Sequence, residues 1–143
     1  MSVYQISVFL ENRAGQLADI TAILAQEHID MRALSIAEAS DYGVLRLVVD
    51  DAEKTANVLL NHGYIVSMTP ITVIAVPDRP NGLAEVLAIM KEGDIDIEYM
   101  YAMTTKNIGT AYMVFRISDE KKFDALLEKH GMIPVKKEEI GLK

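Results

Sequence analysis

The chain has 143 residues, 50% apolar and 24% charged, which excludes a disordered chain and leaves room for one ordinary domain or two small ones. Fourteen Lys and Arg against 21 Asp and Glu leave a formal charge of −7, which opposes phosphate neutralisation and sets nucleic acid aside as a partner. There is no cysteine, so disulfides, thiol nucleophiles and thiolate-bound metals are excluded, and the chain is expected to be cytoplasmic.

The opening Met1-Ser2-Val3-Tyr4-Gln5-Ile6 lacks the basic and long apolar regions of a signal peptide and reads as the start of a strand. No apolar stretch approaches the roughly 20 residues of a membrane span, so no membrane partner is expected. Ile6 to Leu10 reads as a buried strand, followed by a turn over Glu11-Asn12-Arg13-Ala14-Gly15. Leu17, Ile20, Ile23 and Leu24 then share one helical face, with Asn12 in the N-cap region. Strands follow over Ile29 to Ala37 and Val44 to Val49, with Gly43 near the turn between them. A second helix spans about Ala52 to His62, Gly63 supplies its left-handed stop, and Ile65 to Met68 is a closing strand.

The second half follows the same plan. Its strands are Ile71 to Val76, Ile95 to Met103, Ala111 to Ile117 and Ile133 to Val135. Its first helix carries Leu83, Val86, Leu87 and Met90 on one face after a turn containing Asp78, and its second runs from about Glu120 to His130 and stops at Gly131. An offset of 66 matches Arg13 with Arg79, Leu17 with Leu83, Ile29 with Ile95, Asp30 with Asp96 and Gly43 with Gly109. An offset of 68 matches Asp51 with Asp119, Lys54 with Lys122, Leu59 with Leu127, His62 with His130 and Gly63 with Gly131. The order is βαββαβ twice, an α+β fold of two ferredoxin-like repeats with antiparallel sheets. The expected domains are 1–69 and 70–143, packed as a pseudo-twofold pair.

Free N–H groups at Gly15-Gln16-Leu17 open a helix and suit a carboxylate, while Asp30 or Asp96 suits an ammonium. Asn12 can donate and accept, whereas Asp78 would repel a carboxylate and Pro80 lacks an N–H, so the first loop is the better carboxylate site. Plainer readings accompany these: capping for Asn12 and Asp78, turn geometry for Gly15 and Gly82, exposed strand starts for Asp30 and Asp96, solvation for Arg13 and Arg79. Asp94, Asp96 and Glu98 alternate as on one strand face, with Ile95, Ile97, Tyr99 and Tyr101 opposite; a solvent-facing strand accounts for the carboxylates better than a metal does. His62 and His130 fall at helix ends. No catalytic motif is present, so no enzyme activity, cofactor or metal is expected.

The strand followed by Asn12-Arg13-Ala14-Gly15-Gln16-Leu17 resembles the start of an ACT domain, and so does Asp78-Arg79-Pro80-Asn81-Gly82-Leu83. Glu27-His28-Ile29-Asp30-Met31 and Glu92-Gly93-Asp94-Ile95-Asp96-Ile97 resemble the segment that ends the family's first helix. The resemblance spans both halves and implies a regulatory module that binds a small ligand, often an amino acid, at an interface between domains or subunits. It implies ligand contacts at Asn12, Arg13, Ala14, Gly15, Gln16, Leu17, Asp30 and Met31, and at Asp78, Asn81, Gly82, Leu83, Asp96 and Ile97. The first loop is especially similar to that of serine-sensing domains of phosphoglycerate dehydrogenases, in which the loop Asn and an Asn at the start of the second strand hold the ligand. Asn12 and Asp30 match those positions, as do Asp78 and Asp96; Leu10 and Val76 replace a His of that subfamily, and Ala14 replaces the family's proline. The expectation is a free-standing, homodimeric tandem ACT protein that senses an amino acid and signals to a partner enzyme of amino-acid metabolism. The alternative is a ligand-independent subunit resembling the small subunit of acetolactate synthase. An RNA-binding sheet and a small enzyme are the weaker competitors, the first for want of exposed aromatics and cations.

Overall fold

The computed structural model describes residues 3–11, 13–38 and 41–143. Two compact units emerge, Tyr4–Pro70 with Gly141–Lys143, and Ile71–Ile140 with Val3. The element order is β1 (Val3–Glu11), α1 (Gln16–Gln26), β2 (Met31–Glu38), β3 (Tyr42–Val49), α2 (Ala52–Asn61) and β4 (Ile65–Pro77). Then follow α3 (Gly82–Glu92), β5 (Ile97–Met103), β6 (Thr110–Ile117) and α4 (Glu120–Lys129), with a short 3-10 turn at Lys137–Ile140. Six antiparallel strands and four helices in this order make a tandem ferredoxin-like pair.

In the first unit the strands lie in the order β2-β3-β1-β4. Alternation along the strands puts Ile6, Val8 and Leu10 of β1 beside Leu45, Leu47 and Val49 of β3 on one face. Ile20 and Leu24 of α1 and Ala56 and Leu59 of α2 cover that face, and every one of these side chains is buried. In the second unit, ordered β4-β6-β5, Ile74, Val76, Phe115 and Ile117 meet Val86, Met90, Phe123 and Leu127 in the equivalent way.

Local chemistry repeats with the sequence. Asp51 and Asp119 cap α2 and α4, their carboxylates accepting from the Lys54 and Lys122 backbone amides at 3.1 and 3.0 Å. The same two lysines reach back to the end of the preceding helix, donating to the carbonyls of Glu27 at 2.6 Å and Asp94 at 2.7 Å. All four helices stop at a left-handed residue: Gly63 and Gly131 as expected, but His28 and Asp94 after α1 and α3.

Three expectations need correction. First, Ile65 to Met68 and Ile71 to Val76 are not separate strands but parts of the 13-residue β4, and Ile133 to Val135 forms no strand, only a hydrogen bond from Val135 N–H to the Val73 carbonyl at 2.8 Å. Second, β2 and β5 begin two residues later than expected, after the helix-stop turns, and each has a bulge beyond its first residue. The bulge at Ile97/Tyr99 inserts an extra residue, so Ile97 and Met100 pack on the core while Tyr99 and Tyr101 stack on the other face at 6.4 Å. Third, Asp94 lies in the turn before β5 rather than on the strand, 3.7 Å from the Lys122 ammonium, while Glu98 pairs with Arg116 at 3.1 Å. The three carboxylates therefore do not form one row.

Candidate functional site

The β1–α1 loop of the first unit and the β4–α3 loop of the second each enter their helix through a left-handed residue, Gly15 with φ 86° and Asn81 with φ 73°. Neither helix has a side-chain cap at that position, and Asp78, expected near the cap, instead donates its backbone N–H to Gly109 at 2.9 Å. Asn12 lies outside the described residues. From here the two loops diverge.

The second loop is closed on itself. Arg79 donates to Glu85 at 3.0 Å and Asn81 Nδ2 donates to the same carboxylate at 3.3 Å. Gly82 is buried, and a Cβ built on it would lie 2.0 Å from the Pro77 carbonyl oxygen, so only glycine allows this approach. Its role is close contact rather than a positive φ. Leu83 packs on the core.

The first loop is open. Arg13 and Ala14 are exposed, Arg13 lying 3.5 Å from Glu11 rather than folding onto the helix, and no atom lies within 4 Å of a Cβ built on Gly15. At the position matching Gly82 stands Gln16, the first residue of α1, only 8% exposed, with its Oε1 buried and without a hydrogen-bond partner. Leu17 turns inward to the core. A pocket of about 320 Å³ lies here, lined by Phe9, Glu11, Arg13 and Gln16 from β1 and the loop. His62, Gly63, Tyr64 and Ile65, the turn from α2 into β4, form its other side. His62 Nδ1 lies 2.8 Å from the Val58 carbonyl. Since a carbonyl only accepts, Nδ1 carries a proton and donates it there.

Asp30 and Met31 are elsewhere. They follow the far end of α1, and 11 residues of helix separate Gly15 from that end by about 16 Å. Asp30 is engaged there, accepting from Arg32 at 2.6 Å and bonding through its N–H to Asp50 Oδ1 at 3.0 Å. Asp96 is exposed and Ile97 packs on the core of the second unit, so within each unit the loop and the strand start do not converge. In the sequence Phe9, Glu11, Tyr64 and Ile65 carry no site assignment, and His62 reads only as a helix end. No local signal marks them, because they are brought together from segments some 50 residues apart.

A family model described as an ACT domain pair matches residues 1–140. Among solved structures, a protein from Bacteroides thetaiotaomicron is 34% identical over 99% of this chain and 96% of its own, with a TM-score of 0.90. The ligand-free regulatory subunit of aspartate kinase from Thermus thermophilus shares 17% identity over 90% of this chain and 91% of its own, with a TM-score of 0.65. The corresponding Thermus flavus subunit shares 16% identity over 92% of each chain, with a TM-score of 0.62; these two similarities are of fold alone. No protein of curated function matches the sequence significantly.

Proposed function

The chain belongs to the ACT domain pair family, and from that premise we propose that it is a non-catalytic regulatory protein that binds an amino acid at its first β1–α1 loop and reports occupancy to a partner enzyme of amino-acid metabolism. The observation that carries this reading is the asymmetry of the two loops. One is closed by glycine and an Arg–Glu pair, while the other keeps a pocket of about 320 Å³ around an unsatisfied polar side chain at a helix N-terminus. Two similar folds are regulatory subunits of aspartate kinase, which suggests an amino-acid biosynthetic enzyme as the class of partner.

The proposed contacts are Arg13, Ala14, Gly15, Gln16 and Leu17. Asp30, Met31, Asp96, Ile97 and the second-loop residues Asp78, Asn81, Gly82 and Leu83 would reach the same ligand only from another copy of the unit, across a domain or subunit interface such as that of a homodimer. Binding would favour one placement of units or chains, which the partner reads as a population shift. Such a regulator would act in the cytoplasm, and no helix among the described residues is long and apolar enough to cross a membrane.

The test is thermal unfolding against the twenty amino acids at millimolar concentration. A ligand at 100 times its dissociation constant stabilises the fold by about 2.7 kcal/mol, a shift of several degrees. No shift with any of them refutes the sensor and leaves the ligand-independent subunit.

A further inference from the structure

We propose that two copies of this chain associate through the second unit, each placing the tip of its β5–β6 hairpin in a groove at the C-terminal end of the other's α4. The proposal goes beyond the ligand-binding reading and does not depend on it. The groove has a volume of about 460 Å³. Buried Leu127 forms its floor, Met132, Ile133 and Pro134 its apolar wall, and exposed Asp124 and Glu128 its rim. Proline accounts for the opening. Val66 holds the matching place in the first unit and continues β4, whereas Pro134 has no N–H for a ladder, and only Val135 bonds to the sheet, at Val73. Ile133 is left 79% exposed. Asp124 and Glu128 stand one helical turn apart, and neither carboxylate has an ion-pair partner among the described residues. Such a groove takes an apolar side chain with a cation beside it.

The same unit carries that group. Ile108 is fully exposed at the hairpin tip, and Lys106, exposed and without an ion-pair partner among the described residues, precedes it by two residues. The tip is held in shape before any contact: Asn107 N–H donates to Thr105 Oγ1 at 3.1 Å, and Asp78 N–H to the Gly109 carbonyl at 2.9 Å. The first unit has neither half of the match. Ser40 and Tyr42 stand where Lys106 and Ile108 do, and Ala56 and Leu60 stand where Asp124 and Glu128 do. Cation and carboxylates therefore occur together, in one repeat. β6 runs away from the tip and α4 returns alongside it, so tip and groove lie at the same end of the unit. Two copies meeting at that end exchange tips reciprocally, which closes a pair rather than a chain and doubles the buried surface.

The chain has no cysteine, so introduced thiols report single contacts. Full-length Ile108→Cys is mixed with Ile133→Cys in a glutathione redox buffer and, in a parallel sample, with Ile65→Cys, the exposed matching position of the first unit. Every substituted side chain is exposed, so the variants keep the native core. The mixed disulfide with Ile133→Cys should exceed that with Ile65→Cys by about tenfold or more. Adding Lys106→Glu to the hairpin chain should remove this preference, and adding Asp124→Lys and Glu128→Lys to the groove chain should return it. Sedimentation velocity of the wild-type chain should show association that weakens by about tenfold in Ile108→Ser. Equal crosslinking at the two positions, a charge exchange that fails to restore it, or association untouched by Ile108→Ser overturns the proposal and leaves the groove to a different protein.

Discussion

Replacing Gln16 by Leu should stabilise the ligand-free protein, against the usual direction of a substitution at a buried position. Gln16 is 8% exposed and its Oε1 has no partner, and a buried acceptor left unsatisfied costs about 1–3 kcal/mol. Leu has nearly the same volume, carries no polar atom and sits next to Leu17, which already packs on the first core. Loss of the amide removes whatever hydration its NH2 gains at the pocket rim, which offsets part of the benefit. The expected net gain is therefore about 1–2 kcal/mol, and for a unit of this size each kcal/mol raises the melting temperature by about 4–8 °C. Urea unfolding with and without the substitution measures it, with the midpoint rising and the slope unchanged. A midpoint that stays or falls at constant slope would show that the amide is satisfied in the native protein, removing the ground for treating Gln16 as held in reserve for a ligand. A stabilised variant that no longer responds to amino acids would be a site whose polar cost is kept for binding.

Gly82→Ala should destabilise by about 3 kcal/mol, because its methyl would meet the Pro77 carbonyl at 2.0 Å and the backbone must move. Gly63→Ala, with φ 86° but open space around it, should cost only about 1–2 kcal/mol, and urea midpoints rank the two. Asp51→Ala removes the α2 cap and should cost about 1 kcal/mol, with hydrogen exchange accelerated in the first turn of that helix. Leu59→Ala, at a fully buried core position, should cost about 2–5 kcal/mol in the same assay. Asp30→Asn should leave stability within about 1 kcal/mol, since its pair with Arg32 is on the surface.

Much of the fold is legible in the sequence because its causes are local. Helical spacing at Leu17, Ile20 and Leu24 marks the buried face of α1, and alternation at Ile6, Val8 and Leu10 marks that of β1. Gly63 and Gly131 mark helix stops because glycine takes a left-handed conformation at little cost. The matched Asp51 and Asp119, Lys54 and Lys122 reveal a repeated unit because each pair performs the same capping chemistry twice. The loop ending at Gly15 is likewise readable as a helix entry with free amides.

The rest required the tertiary structure. His28 and Asp94 end their helices in a left-handed conformation, which His and Asp adopt more readily than most residues but far less than glycine, so neither marks a stop as Gly63 and Gly131 do. A bulge at Ile97/Tyr99 reverses which face Tyr99 and Tyr101 occupy, and one inserted residue in a ladder leaves no clear mark in a period-two pattern. Gly82 is dictated by the Pro77 carbonyl five residues earlier, a contact made through space by the turn of the loop. The pocket itself is the plainest case. The sequence marks Gln16 through its backbone N–H at the helix start and not through its side chain, and His62 only as a helix end. Only the winding of βαββαβ brings the β1–α1 loop and the α2–β4 turn to the same end of the sheet. Desolvation of Gln16 is a property of that meeting, not of either segment.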